Sequence, residues 1–140
     1  MKYYISIAAM MLFLIAACTK QNGSPTAPVN EMPDTTAVQT HTGSFVKGPY
    51  GTVSGMVAIF KENGKYSLAL QNIMISNGPD LHVYLSKEIQ PVNFIDLGKI
   101  KSIMGNQLYD ISGMPDFAQY KYALIHCQQY DHLFGSAELK

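Results

Sequence analysis

The chain has 140 residues, 47% of them hydrophobic and 14% charged, and its ten lysines and ten acids give a formal net charge of zero. That length excludes two full domains, and that apolar content excludes disorder throughout. A neutral chain with no arginine lacks the basic stripe that displaces counterions from phosphate, so nucleic acid is not an expected partner; two cysteines form at most one bridge, which excludes a disulfide scaffold.

Lys2 supplies a positive start, and Tyr3 to Ala17 is a nearly unbroken apolar run. A membrane-spanning helix needs about 20 apolar residues, so this run has the length of a secretory signal core instead. Leu14-Ile15-Ala16-Ala17-Cys18 resembles a bacterial lipobox, in which small residues precede a cysteine that is diacylated and becomes the mature N-terminus. The resemblance implies a lipoprotein signal peptide over 1–17 and a lipid anchor at Cys18, on the extracytoplasmic side of the cell envelope. Two or more acyl chains hold a protein stably to a bilayer. Thr19 follows the cysteine and no acidic cluster appears in Lys20-Gln21-Asn22-Gly23, which by the same resemblance implies the outer membrane. Acylation also converts the Cys18 sulfur to a thioether, unavailable for a disulfide or a metal.

From Thr19 to about Thr40 the composition shifts to Gly, Ser, Pro, Thr, Asn and Gln, with Pro25, Pro28 and Pro33 and no apolar period. Such a segment buries too little surface to offset its ordering entropy, so 18–40 is expected to be a flexible tether behind the lipidated cysteine.

From His41 onward the period is two. Val53, Gly55, Val57 and Ile59 alternate with Thr52, Ser54, Met56 and Ala58. Lys61-Glu62-Asn63-Gly64 reads as a hairpin turn, since Asn-Gly readily takes positive φ. Tyr66, Leu68 and Leu70 form one face of the return strand, and Asn77-Gly78-Pro79-Asp80 is a second turn. Leu81, Val83 and Leu85 then alternate with His82, Tyr84 and Ser86, and Phe94 to Leu97, Gln107 to Ile111, Tyr120 to Cys127 and His132 to Leu139 continue the pattern. Roughly eight short strands punctuated by Gly, Pro and Asn predict a single all-β domain over 41–140, an antiparallel β-sandwich or barrel. One turn of helix is expected at Pro115 to Gln119.

Several short motifs, taken in order, resemble the DM-thirteen domain, a small extracellular module described as an electron-transfer domain. They are Thr42-Gly43-Ser44-Phe45, Val53-Ser54-Gly55-Met56-Val57, Gly78-Pro79-Asp80-Leu81-His82-Val83-Tyr84-Leu85, Asp96-Leu97-Gly98-Lys99-Ile100-Lys101, Gly105-Asn106-Gln107-Leu108-Tyr109, and Cys127 with Phe134-Gly135-Ser136-Ala137-Glu138-Leu139. The resemblance implies a redox role for the family's single cysteine, which maps onto Cys127, as a bare thiol or as a ligand to a prosthetic group, haem or copper being the candidates. It also implies an envelope redox partner. In two places the chain departs from the pattern: His126 precedes the cysteine where the family tends to have an aromatic, often Trp, and Tyr50-Gly51 stand where a histidine is common.

With Cys18 acylated, Cys127 is an unpaired cysteine in an oxidising compartment, so it is either buried or used. Alternation puts Ala123, Ile125 and Cys127 on one strand face, which favours a small hydrophobe in the core. The sharpest chemical alternative is a metal site of Cys127, His132 and His82. Cys-x4-His near the end of a β-sandwich resembles part of a blue-copper site, although Ser136 stands where an axial Met is expected. His126 is on the opposite face from Cys127 and cannot share its ion. Asp80, in a turn, is expected to bond its own backbone, and Asp96 and Asp110 have no partner spaced for acid–base work. No sharp Gly-flanked turn surrounds Cys127, which argues against a Cys-His-Asp hydrolase. Two functions stay open: electron transfer through Cys127, and a non-enzymatic extracytoplasmic binding module in which Cys127 only packs.

Overall fold

The computed structural model describes residues 23–140, so the signal peptide over 1–17 and the lipobox cysteine Cys18 lie outside the described residues. Ten strands follow in chain order: β1 (Val29–Asn30), β2 (Val38–Ser44), β3 (Val46–Lys47), β4 (Val53–Glu62), β5 (Lys65–Ile75), β6 (Leu81–Ser86), β7 (Phe94–Lys99), β8 (Met104–Ile111), β9 (Tyr122–Cys127) and β10 (His132–Glu138). They make two five-stranded sheets, one ordered β1-β8-β5-β4-β2 and the other β3-β10-β9-β6-β7. The fold is therefore all-β and sandwich-like, not a closed barrel. No helix occurs among the described residues; at 115–119 the chain makes a single turn, with the Gln119 and Tyr120 amides both donating to the Asp116 carbonyl.

Period-two alternation accounts for the layers. Val57 and Ile59 of β4 and Leu68 and Leu70 of β5 face Leu81, Val83 and Leu85 of β6 and Ile125 of β9 across the sandwich, all of them sealed from solvent. Each such side chain contributes about 1.5–3 kcal/mol on burial, which makes this layer the main favourable contribution to folding. The Asn-Gly hairpin forms as its residues dictate: Asn63 and Gly64 have φ of 48° and 77°, and Glu62 pairs with Lys65. Positive φ at both central positions matches the right-handed twist of the flanking strands.

Residues 24–40 depart from the expectation of a free tether. Ser24 is buried, and its amide and hydroxyl donate to the Gly78 carbonyl at 3.2 and 2.9 Å. The Pro25 carbonyl accepts from the Ile103 amide, β1 pairs in parallel with β8, and β2 opens at Val38 against β4. The Glu31 carboxylate accepts from the Leu108 amide at 2.8 Å and from Lys101 Nζ at 2.7 Å. Those two bonds hold the Glu31 carboxyl below its ordinary range. The physical reason is the edge of β8. An edge strand offers unpaired backbone donors and acceptors, and an extended segment satisfies them whatever its side chains. Composition registers the lack of a periodic pattern in 24–40 but not the waiting edge. Residues 24–40 are thus a strap bonded along the sandwich ahead of His41.

Candidate functional site at one end of the second sheet

Cys127 closes β9, where the expected alternation places Ala123, Ile125 and Cys127 on the core side. Its Cα partner on β6 is Leu81 and on β10 is His132. Cys127 is 1% exposed, and its sulfur donates to the Pro79 carbonyl at 2.9 Å. That bond ties Cys127 to the 77–80 turn. That turn is tightly held. A Cβ on Gly78 would stand 2.7 Å from the Phe134 ring, so only glycine lets the turn close on that ring. Asp80 takes φ +52°, a left-handed conformation that Asp tolerates better than most residues, and its carbonyl accepts from the Gln128 amide.

The opposite face of the same strands carries the histidines. His82 and His126 are Cα partners on β6 and β9, both largely buried, with Tyr84 beside them. His82 Nδ1 lies 2.9 and 3.0 Å from the two oxygens of Asp96, and its Nε2 lies 3.3 Å from Asp80 Oδ1. Lys99 Nζ reaches the same Asp80 oxygen at 3.0 Å. The Lys99 bond, opposed by partial burial and aided by His82, draws the Asp80 carboxyl below its ordinary range. His126 Nε2 bonds Asp131 at 2.9 Å, while its Nδ1 is buried with no partner among the described residues. Tyr84 stacks on Phe94 at 4.2 Å and on His126 at 5.3 Å between centroids. Gln128 Nε2 donates to the Tyr84 hydroxyl at 3.1 Å. Burial pushes the Tyr84 phenol up, against the effect of that bond.

His132 takes neither course. Its ring lies parallel to that of Tyr50, at 3.8 Å between centroids, with Tyr130 5.9 Å away. Cys127, His132 and His82 therefore diverge. Cys127 points between the sheets, His82 points out through the second sheet, and His132 joins the surface aromatics. Among the described residues no group of three His, Cys, Asp or Glu side chains is arranged to hold a metal ion. A trigonal copper site needs the thiolate and two imidazoles in one plane, and these residues do not fit one. An axial bond to haem iron needs open space at the sulfur, and the Pro79 carbonyl occupies its one polar contact; the fit fails there too.

Three charged partners escaped the sequence reading. Asp80 bonds His82 and Lys99 instead of its own backbone, Asp96 clasps His82, and Asp131 reaches His126. For Asp96 the missing information is the β6–β7 register, which has a bulge between Val83 and Tyr84. His126 and Asp131 carried a local signal, since five residues across the β9–β10 turn bring a side chain back to the strand it left. The 77–80 turn is likewise a junction that period-two reasoning treats as punctuation.

Residues 44–139 match a protein family described as electron transfer DM13. No curated protein and no solved structure matches the chain.

Proposed function

Since the chain belongs to the electron transfer DM13 family, we propose that it is an electron-transfer module of the cell envelope, lipid-anchored at Cys18 on the extracytoplasmic side, in the outer membrane. In this reading Cys127 is the redox group and acts as a bare thiol by exchange with a partner's disulfide, its sulfur forming a mixed disulfide as the partner's S–S bond breaks and one partner thiol leaves, because the surrounding side chains do not assemble a metal or haem site. The observation that carries it is the position of the sulfur. It stands at the last residue of β9, bonded to the Pro79 carbonyl of a surface turn, and not in mid-strand. A partner would reach the thiol if that turn opened locally, against its hold on the Phe134 ring and on Ser24, at less cost than unfolding the whole sandwich. An envelope redox partner would meet the thiol there.

A second reading is supported by the 1% exposure of Cys127 and its aliphatic neighbours: the chain is a non-enzymatic binding module and the cysteine only packs. Thiol labelling separates the two. With an aromatic disulfide reagent and the folded full-length protein in increasing urea, the redox reading expects Cys127 to react at a rate nearly independent of denaturant in the native baseline, which is the mark of local opening. A rate that follows global unfolding throughout, with no labelling in the native baseline, would leave Cys127 as packing. Substituting Asp80→Gly relaxes the left-handed position but also removes the bonds to His82 and Lys99, so Asp80→Asn is run beside it, and a labelling change seen in Asp80→Gly alone would locate the opening at that turn.

A further inference from the structure

Five connections meet at the end of the sandwich that holds Cys127: the strap at 24–28 and the loops 48–52, 76–80, 100–103 and 128–131. This end differs from the opposite one in two respects. The strap is fixed to it, through Ser24 on the Gly78 carbonyl and the Asn77 side chain, whose Oδ1 accepts from the Ser24 amide at 2.9 Å. It also displays an aromatic patch: Tyr50 is 58% exposed and Tyr130 56% exposed, on either side of His132. The patch and the strap are mechanically continuous, because Tyr50 donates its amide to the Leu133 carbonyl and Gly78 packs on the neighbouring Phe134 ring.

We infer that this end of the domain docks on the phospholipid surface, with Tyr50 and Tyr130 lodged at headgroup level. The inference rests on the lipid anchor at Cys18. Cys18 stands six residues before Ser24, and six fully extended residues span at most about 22 Å. β4 alone has ten residues, about 33 Å at the rise of a β-strand, and runs from this end to the far one. A leash shorter than the sandwich keeps the fixing point within its own span of the bilayer, so the domain cannot stand upright on its far end with the strap end outward. The anchored domain therefore lies with its strap end close to the membrane, and that end carries the exposed tyrosines. Tyrosine is enriched at the membrane–water interface because its ring is apolar and its hydroxyl stays hydrated. Exposed rings that would be a liability in open solvent are satisfied there. The occupant of this patch is a lipid headgroup layer and not a protein, since the leash fixes the distance to lipid alone.

The chain contains no tryptophan, so single-tryptophan variants report position without background. The lipidated full-length protein is bound to phosphatidylethanolamine–phosphatidylglycerol vesicles with brominated acyl chains. Tyr50→Trp and Tyr130→Trp are compared with Val92→Trp, an exposed position in the loop 87–93 at the far end. The expected result is a several-fold greater loss of emission for the first two than for Val92→Trp, since only interfacial rings approach the brominated chains. Emission lost equally at all three, or at none, overturns the docking while leaving the anchor standing, provided the wild type floats with the vesicles and Cys18→Ala does not. A wild type that fails to float removes the anchor and the inference with it. Two separate tyrosine positions guard against one variant misfolding.

Discussion

On the inner face of the second sheet, Leu81, Val83, Leu85, Ile125 and Cys127 are covered by the first sheet. On its outer face Tyr84, Leu124 and Leu133, with His82 and His126, are covered by one another, by Tyr122 and by loop and edge side chains such as Phe94 and Gln128, with no third layer opposite. Both faces reach nearly the same burial. They reach it by different physics. A packed layer opposite excludes water from any side chain of the right size, so the inner face needs no polar partners beyond the single bond from Cys127 to Pro79. A face without an opposing layer must satisfy its polar groups locally, and Asp80, Asp96 and Asp131 do so for every histidine ring nitrogen on it except His126 Nδ1. The difference separates stability from chemistry: titratable groups gather where cover is thin and the loops can bring carboxylates.

Adjacent residues of β9 test that difference most strongly. Ile125 and Leu124 are both fully buried but point to opposite faces. Ile125→Ala leaves a cavity between two sheets that cannot collapse, and about 3–4 kcal/mol of unfolding free energy should be lost. Leu124→Ala leaves its gap under a cover one side chain thick, which can settle inward, and the loss should be nearer 2 kcal/mol. Urea unfolding with constant m-values measures both. Equal losses would mean that the outer cover is as rigid as the first sheet, and the distinction would fail.

Much of this fold is legible in the sequence. The alternations of β4, β5, β6 and β9 and the Asn63-Gly64 turn are local properties, fixed by side-chain period and by φ, and they appear in the structure as the residues predict. The strap was illegible because what orders it is the edge of β8, some seventy residues away. The candidate site divides along the same line. That Cys127 faces the core and His126 does not follows from period two alone. That Asp96 meets His82, or that His132 turns to Tyr50, depends on a bulged register and a loop course, which no window of sequence contains.

A smaller effect is expected where the outer face relies on charge. Asp96 accepts from His82 Nδ1 and also from the Gly98 amide at 2.8 Å. Asp96→Asn keeps the shape and one oxygen acceptor but removes the carboxylate, and a charge-assisted hydrogen bond differs from a neutral one by about 1 kcal/mol. The inner-face counterpart is Cys127→Ser, which retains a donor for the Pro79 carbonyl and should change stability by a similar or smaller amount. If the outer face is organised by charge, the Asp96→Asn loss shrinks in high salt while the Cys127→Ser effect does not, because only the former involves a partly exposed carboxylate.

The weakest handle on the comparison is pH, and its sign follows from Asp80. Lys99, first, and His82 hold the folded Asp80 carboxyl below its unfolded value. A carboxylate whose folded pKa is depressed contributes stability that is fully present above the unfolded pKa. That contribution is lost as acid carries the pH down through the folded pKa. Lys99 is well exposed and solvent screens the pair, so the effect is small. The wild type should therefore lose a little more stability than Asp80→Asn between neutral pH and the acid side of the carboxylate range, read as a steeper fall in the urea midpoint. The Glu31 carboxyl, also depressed but set on the strap, titrates in the same direction, so Glu31→Gln is the necessary companion. If Asp80→Asn leaves the slope untouched and Glu31→Gln flattens it, the acid sensitivity belongs to the strap, and the outer face of the second sheet owes its order to packing more than to its carboxylates.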